Sequence, residues 1–173
     1  DVVIGVGGYV TFPVIMAAKK LGVKTFIHEQ NSIPGKSNKV LAKKVDLIGV
    51  SFKDSMKYFD VKKVRLTGNP CSENAINIKK MPKTKYGLSK DKKCVLIVQG
   101  SLGSSIINEK MKDYLSSISS KDYEVLYITG KDYYESFIKN KFSDNVKVVP
   151  YVDNLSALLK DVDLVITRAG ASI

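Results

Sequence analysis

The sequence predicts an α/β protein of two doubly wound, Rossmann-like halves, and three observations carry that prediction. Residues 2–4, 23–27, 47–51, 94–98, 124–128, 146–149 and 163–167 are short apolar runs. Lacking the alternation of one-sided sheets, they read as parallel strands buried on both faces. Stretches of helical period, opened by turns rich in glycine and proline, lie between most of them, as in a βαβ repeat. The alternation breaks once, over the polar, Lys-rich residues 71–91 with Pro82 and Gly87. The chain is thereby divided into residues 1–70, a junction 71–91, and residues 92–173.

The first half opens DVVIGVGGYVTFPVIMAAKKLGVKTFIHEQN. Its strand stops at Gly5, and Gly5, Gly7 and Gly8 allow positive φ and a close approach of backbone to a ligand. Pro13 suits a first helical turn. Val14, Ile15, Ala17, Ala18 and Leu21 give that helix an apolar face, and Gly22 is expected to end it in the left-handed region. A second strand delivers His28, Glu29, Gln30 and Asn31 to the same carboxyl edge, where the free N–H groups of the helix start favour an anionic ligand. Ser37 is expected to cap the next helix, with Val40, Leu41 and Val45 inward. A strand at 47–51, a brief helix at 52–58 and a strand at 64–66 lead to Thr67-Gly68-Asn69-Pro70.

The second half restarts with strand 94–98, which runs into the glycine-bearing turn QGSLGSS and a helix at 106–118. Strand 124–128, helix 133–141, strand 146–149, helix 156–160 and strand 163–167 follow, and RAGAS turns toward a further helix. A cleft between two such halves is the expected place for chemistry. Because the first strand begins at once and the last helix is not completed, the chain reads as an internal piece of a longer protein, with both halves incomplete and some apolar strand faces left uncovered.

Composition narrows the function classes. The mean hydropathy is near zero and no run of 18 apolar residues occurs, so a membrane span is not expected. Cys71 and Cys94 are too few for a disulfide framework, and a reducing cytosol fits them. His28 is the only histidine, so neither a zinc site nor a Ser-His-Asp arrangement can be built from the sequence. The net charge of +11 divides as +7 over residues 1–70 and +4 over the remainder. That excess favours anionic partners: phosphates, nucleic acid or anionic lipid.

Two motifs compete for attention. Glu29 stands where a nicotinamide-dependent oxidoreductase places its ribose-binding acid, but the fingerprint glycine is replaced by Val10, and Pro13 falls where that helix would already be running. Asp161-Val162-Asp163 has the form of a metal-binding DxD, yet the following LVIT reads as strand entry, so two aspartates before a buried strand are the better reading.

GVGGYVTFP, HEQNSIPGKSNK, TGNP, QGSLGSSIIN, YVDNL and TRAGAS, in this order and over nearly the whole chain, resemble the MurG family of bacterial N-acetylglucosaminyltransferases, which make lipid II. The resemblance implies a two-domain GT-B fold with the acceptor domain first and the nucleotide-sugar domain second. It implies inverting transfer of N-acetylglucosamine from UDP-N-acetylglucosamine to lipid I in peptidoglycan synthesis. The protein would then be peripheral, at the cytoplasmic face of the bacterial inner membrane, on an anionic surface reached through lysines such as Lys19, Lys20, Lys43 and Lys44. No nucleic acid, permanently bound cofactor or metal ligand is implied.

Carried over residue by residue, Gly7, Gly8 and Tyr9 resemble an acceptor-side glycine loop, with His28, Glu29 and Asn38 around it. Asn31, Ser101, Gly103, Val152, Arg168, Gly170 and Ala171 resemble donor-binding positions, Val152 through its backbone to uracil, and Asn108 matches beside Gly103. Cys71 and Ser72 stand where the family has an apolar residue and an arginine, and Gln99 and Leu102 replace a glycine and a glutamine. The candidate catalytic base is expected upstream of this chain, with His28 the only imidazole within it. On that reading the 173-residue chain alone does not turn over substrate.

Overall fold

In the computed structural model, residues 1–100, 103–119, 121–168 and 170 are described. The chain divides into two compact units, Asp1–Ile76 and the residues from Asn77 onward.

In the first unit, β1 (Val2–Gly5), β2 (Lys24–Glu29), β3 (Leu47–Val50) and β4 (Val64–Leu66) form a parallel sheet in sequence order. Helices α1 (Thr11–Lys20) and α2 (Lys36–Leu41) provide the first two crossovers, and a 3₁₀ turn at Lys53–Tyr58 the third. The core joins Ile15 and Leu41 of the helices to Ile27, Ile48, Val50 and Val64 of the sheet. These residues share one sheet face, because strand side chains alternate. The other face is bare at β1: Val2 is 56% and Ile4 60% exposed, which corrects the expectation of a strand buried on both sides. The physical reason is that β1 is a sheet edge and α1 packs on the face of Val3 and Gly5.

Gly22 takes φ +72° after α1 and receives the helix end as expected, donating its N–H to the Lys19 carbonyl at 3.2 Å. Gly5 has ordinary strand φ; its lack of a Cβ matters because a methyl there would lie 2.4 Å from Thr11 Cγ2. Ser37 is not the cap of α2. The helix starts at Lys36 behind Gly35, and Ser37 lies within its first turn.

The second unit has strand order β7-β6-β5-β8, all parallel, with β5 (Cys94–Val98), β6 (Glu124–Ile128), β7 (Val146–Val149) and β8 (Leu164–Thr167). Both faces are covered over β5, β6 and β7, but at the edge strand β8 Leu164 is 55% and Ile166 41% exposed, which corrects the expectation of a strand buried on both sides there as well. Helices α4 (Ser105–Ser117) and α5 (Lys131–Phe137) bury Leu115 and Phe137 against Ile97, Val125 and Tyr127. On the reverse face Leu158 of α6 (Leu155–Leu158) and Leu88 pack on Leu96, Val98 and Leu126. Helix α5 stops before the expected residue 141 because Asn140 turns its amide onto the Phe137 carbonyl at 2.7 Å, and Phe137 is held between the Tyr127 and Phe142 rings.

The segment read as an aperiodic junction is ordered. Pro70–Asn77 is helix α3, and Lys83–Tyr86 a 3₁₀ turn tied to the second unit, where Met81 N–H meets the Ala157 carbonyl at 3.0 Å. Lysines dominate its composition, yet Leu88 and Met81 sufficed to dock it.

Each sheet is pinned at its amino edge by the same local pattern, Val-Asp before an apolar strand. Asp46 accepts from Thr25 N–H, Thr25 Oγ1 and Lys19 Nζ, all at 2.8 Å. Asp163 accepts from Cys94 N–H at 2.8 Å and Lys93 Nζ at 2.7 Å. The Lys19 side chain, then the Thr25 donors, hold the Asp46 carboxyl far below its usual range.

Candidate functional site

The first unit has a hollow of about 360 Å³ at the carboxyl ends of β1 and β2, lined by Gly7, Gly8, Tyr9, Glu29, Asn31 and Asn38 among others. Gly7 (φ +95°) and Gly8 (φ +79°) carry the chain around its rim in a conformation that side chains disfavour. Thr11 Oγ1 donates to the Gly7 carbonyl, and Gln30 Nε2 to the Val6 carbonyl at 3.0 Å, so the loop is fastened at both ends.

Glu29 organises the facing wall. Its Oε1 accepts from the Asn31 N–H (2.9 Å) and Asn31 Nδ2 (3.0 Å), and its Oε2 from the Gly35 N–H (3.0 Å) and Asn38 Nδ2 (2.9 Å). Burial by itself pushes this carboxyl up, but the four donors outweigh it and hold the group ionised below its ordinary value. Both oxygens are thereby committed to the protein's own loop. A ribose-binding acid needs a free oxygen for the sugar hydroxyls, so the nicotinamide reading of Glu29 fails on geometry.

Asn38 is buried, and its second amide hydrogen reaches the His28 carbonyl at 3.1 Å. Its Oδ1 and the neighbouring Ser37 Oγ are buried without a hydrogen-bond partner among the described residues. An unpaired buried acceptor is costly, so these two atoms mark where a donor from water or ligand is wanted.

His28 points elsewhere. Its Nε2 lies 3.0 Å from the Gly68 carbonyl and 3.1 Å from Thr67 Oγ1. A carbonyl only accepts, so Nε2 carries the proton and the ring's lone pair lies on Nδ1. The ring is packed over Gly49, where an added Cβ would stand 3.0 Å from His28 Cδ2 and 2.5 Å from Phe26 Cζ. The TGNP motif thus locks the HEQN strand from β4.

In the second unit a cavity of about 320 Å³ opens at the carboxyl edge, lined by Val98, Gly100, Ile128, Tyr151, Val152 and Leu155 with residues 153, 154 and 156. Strand order reverses between β5 and β8, and ligands of open α/β sheets collect outside such a point. Gly103, at φ +72°, passes so close to β6 that a Cβ would lie 2.0 Å from the Thr129 carbonyl oxygen. Only glycine lets this turn come down onto the sheet before α4. Asn108 is structural: it donates to the Thr129 carbonyl at 3.2 Å and accepts from the Tyr127 hydroxyl, which burial pushes up to about 12. Arg168 donates Nη2 to the Gln99 carbonyl, tying the end of β8 to the end of β5.

Gly7, Gly8, Tyr9, Glu29, Asn31 and Asn38 therefore share one hollow, His28 lies behind its wall, and Gly103, Val152 and Arg168 belong to the second carboxyl edge. Among the described residues, no atom lies within 4 Å of a Cβ placed on Gly170. Ser101 and Ala171 lie outside the described residues. Lys131 and Tyr151 were not singled out in the sequence; Lys131 Nζ sits 5.0 Å from the centroid of the ring of Tyr151, which lines the cavity. A lysine directly after the strand-ending Thr129-Gly130 is the signal that could have found it. The DxD aspartates are at the opposite, amino edge: Asp161 accepts from Lys80 Nζ and the Lys83 N–H, both at 2.8 Å, and Asp163 is engaged as above.

Comparison with known proteins agrees with this division. Residues 1–50 match the glycosyltransferase family 28 N-terminal domain and residues 94–173 its C-terminal domain. A Bacillus cytotoxicus protein named UDP-N-acetylglucosamine–N-acetylmuramyl-(pentapeptide) pyrophosphoryl-undecaprenol N-acetylglucosamine transferase is 45% identical over 99% of this chain and 49% of its own length. The Bacillus subtilis protein of the same name is 42% identical with the same coverage. The chain thus spans about half the length of the curated relatives it matches. Among solved structures, Acinetobacter baumannii MurG superposes with a TM-score of 0.67 at 27% identity, covering 99% of this chain and 47% of that one. A glycosyltransferase from Rickettsia africae, 14% identical with a TM-score of 0.55 over 95% of this chain and 50% of that one, shares the fold. Two parallel-sheet units, each with its hollow at the carboxyl edge and each matched in order by its own domain of one family, make this chain a member of glycosyltransferase family 28, with the GT-B fold.

Proposed function

We propose that the protein containing this chain is an inverting transferase that moves N-acetylglucosamine from UDP-N-acetylglucosamine to lipid I, forming lipid II. The observation that carries the reading is identity of 42–45% to transferases of that name along 99% of the chain, across both hollows. The donor is assigned to the second unit: the apolar slot beside Val152 suits a flat base, and the turn at Gly100 and Gly103 leads into α4, whose free N–H groups favour the diphosphate. As the sugar leaves, charge develops on UDP, and N–H groups fixed in advance stabilise it without reorganising. Ser101, Arg168, Gly170 and Ala171 are assigned to that donor side.

The acceptor is assigned to the hollow of the first unit, with its diphosphate against Gly7, Gly8 and Tyr9. Asn31 has its amide N–H committed to Glu29, which leaves Oδ1 to accept from a donor-sugar hydroxyl. Asn38 offers the same kind of acceptor deeper in the wall. The attacking sugar hydroxyl needs a base within hydrogen-bond reach. The Nε2–H of His28 is donated to Gly68 and the residue is not among those lining the hollow, which supports a positioning role for it and a base contributed by another segment.

Attachment to the membrane is proposed to be peripheral and electrostatic, at the cytoplasmic face. No helix among the described residues is long and apolar enough to cross a bilayer. Lys20, Lys43 and Lys44 are exposed at the amino edge of the first sheet, whereas Lys19 is engaged by Asp46 at 2.8 Å. That edge is at the far end of the sheet from the hollow, so its attraction concentrates the protein near anionic lipid without seating the acceptor.

The test is a transfer assay on the full-length protein with labelled UDP-N-acetylglucosamine and a short-chain lipid I analogue, beside titrations with UDP and NADH. Transfer with UDP binding is expected. Binding of NADH with none of UDP, or no transfer to the lipid analogue, would overturn the reading.

A further inference from the structure

The cavity of the second unit contains one acidic lining residue, Asp153, and no lining cation among the described residues. A diphosphate brought to this edge therefore finds no side-chain cation among the described residues that line the cavity. The arginine nearest the turn, Arg168, has its Nη2 turned onto the Gln99 carbonyl, and a Cβ on Gly100 would lie 3.1 Å from that nitrogen, so its guanidinium is drawn into bracing β5 against β8. Ser72 holds the position where the resemblance implied another arginine.

Lys131 is differently placed. It follows Gly130, whose Cα would be 3.3 Å from a Cβ on Gly103, so its backbone adjoins the turn that opens α4. Its ammonium stands over the Tyr151 ring at 5.0 Å from the centroid, and Tyr151 lines the cavity. No carboxylate pairs with it among the described ion pairs. An aromatic face holds a cation without neutralising it, and leaves its N–H donors available to a phosphate oxygen.

We infer that Lys131, held by Tyr151, is a specificity-determining residue for the diphosphate of the nucleotide donor. The inference rests on the transferase reading and deepens it: the slot takes the base, and Lys131 supplies the charge that distinguishes a nucleoside diphosphate from the bare nucleoside. Tyr151 is a positioning residue that acts through the lysine.

Isothermal titration of the full-length protein with UDP and with uridine tests this, at low and at physiological salt. A solvent-exposed, charge-assisted contact predicts that Lys131→Ala weakens UDP about tenfold and leaves uridine unchanged. The salt dependence of UDP binding should fall in the same variant, and Lys131→Arg should restore most of the affinity. Tyr151→Leu should weaken UDP more than uridine, since the cation loses its seat. Unchanged UDP affinity in Lys131→Ala, or an equal loss for uridine, would overturn the inference while leaving the transferase reading intact. A wild-type protein that binds no UDP would overturn both.

Discussion

Replacing Glu29 by glutamine tests the central claim about the first hollow, that one ionised carboxylate shapes its wall. Four N–H donors reach the two oxygens at 2.9–3.0 Å, from Asn31 twice, Gly35 and Asn38. Glutamine keeps the shape but offers one acceptor oxygen. Its least costly orientation leaves that oxygen with Gly35 and the buried Asn38 and turns its NH₂ toward Asn31. The exposed Asn31 amide can flip to present Oδ1, but the Asn31 main-chain N–H then faces another donor. Two bonds to full charge become bonds to a neutral carbonyl and one is lost, while the neutral side chain costs less to bury. The net effect is a destabilisation of the first unit by about 2–3 kcal/mol.

The pH dependence fixes the cause. Burial raises the Glu29 pKa and the four donors lower it further than that, so its folded value lies below the usual 4.5. A carboxylate depressed in this way stabilises fully above its unfolded value and loses the contribution as pH falls through the folded one. The gap between wild type and Glu29→Gln should therefore be constant from pH 6 to 8 by about 0.5 kcal/mol and shrink below about pH 4.5. Urea unfolding gives the gap, and amide exchange at Asn31 and Gly35 locates it. Wild-type exchange rates at both amides, or a gap undiminished in acid, would refute the reasoning.

Further perturbations probe the second unit and the surface. Gly103→Ala puts a Cβ 2.0 Å from the Thr129 carbonyl oxygen at φ +72°; a loss of at least about 3 kcal/mol in the second unit is expected by thermal unfolding, and a near-neutral variant would contradict the close approach. Burial pushes the Cys94 thiol up to about 11 whereas Cys71 is exposed, so iodoacetamide at pH 8 should label Cys71 alone in the folded chain; equal labelling would show that β5 is open. Changing Lys20, Lys43 and Lys44 together to serine should weaken co-sedimentation with anionic vesicles in a salt-dependent way, and Lys19→Ser alone should matter less; binding indifferent to salt and to these lysines would remove the electrostatic attachment.

Much of this was legible in the sequence because it is local. The apolar runs marked seven of the eight strands among the described residues, Gly22 announced its helix end, and the HEQN motif and first glycine loop pointed to residues that line the hollow of the first unit. Asp163 was read before its strand in the sequence; Asp46, not singled out there, stands in the same place before β3, and backbone N–H groups of neighbouring strands take up both carboxylates. Helix ends were less legible where a single side chain decided them, as Asn140 did for α5.

What the sequence determined by itself is the α/β class and the positions of the strands and of the glycine-bearing turns at their carboxyl ends, since these follow from periodicity and turn chemistry. Only the tertiary structure decided what those residues do with their hydrogen bonds. It engaged both oxygens of Glu29 in the loop, donated the His28 Nε2 proton to Gly68, turned Arg168 onto a carbonyl, and placed Lys131 over Tyr151 with no ion pair among the described residues. The reason is physical: a buried polar group bonds whatever partner the packed chain brings within about 3 Å, and those partners come from residues distant in sequence.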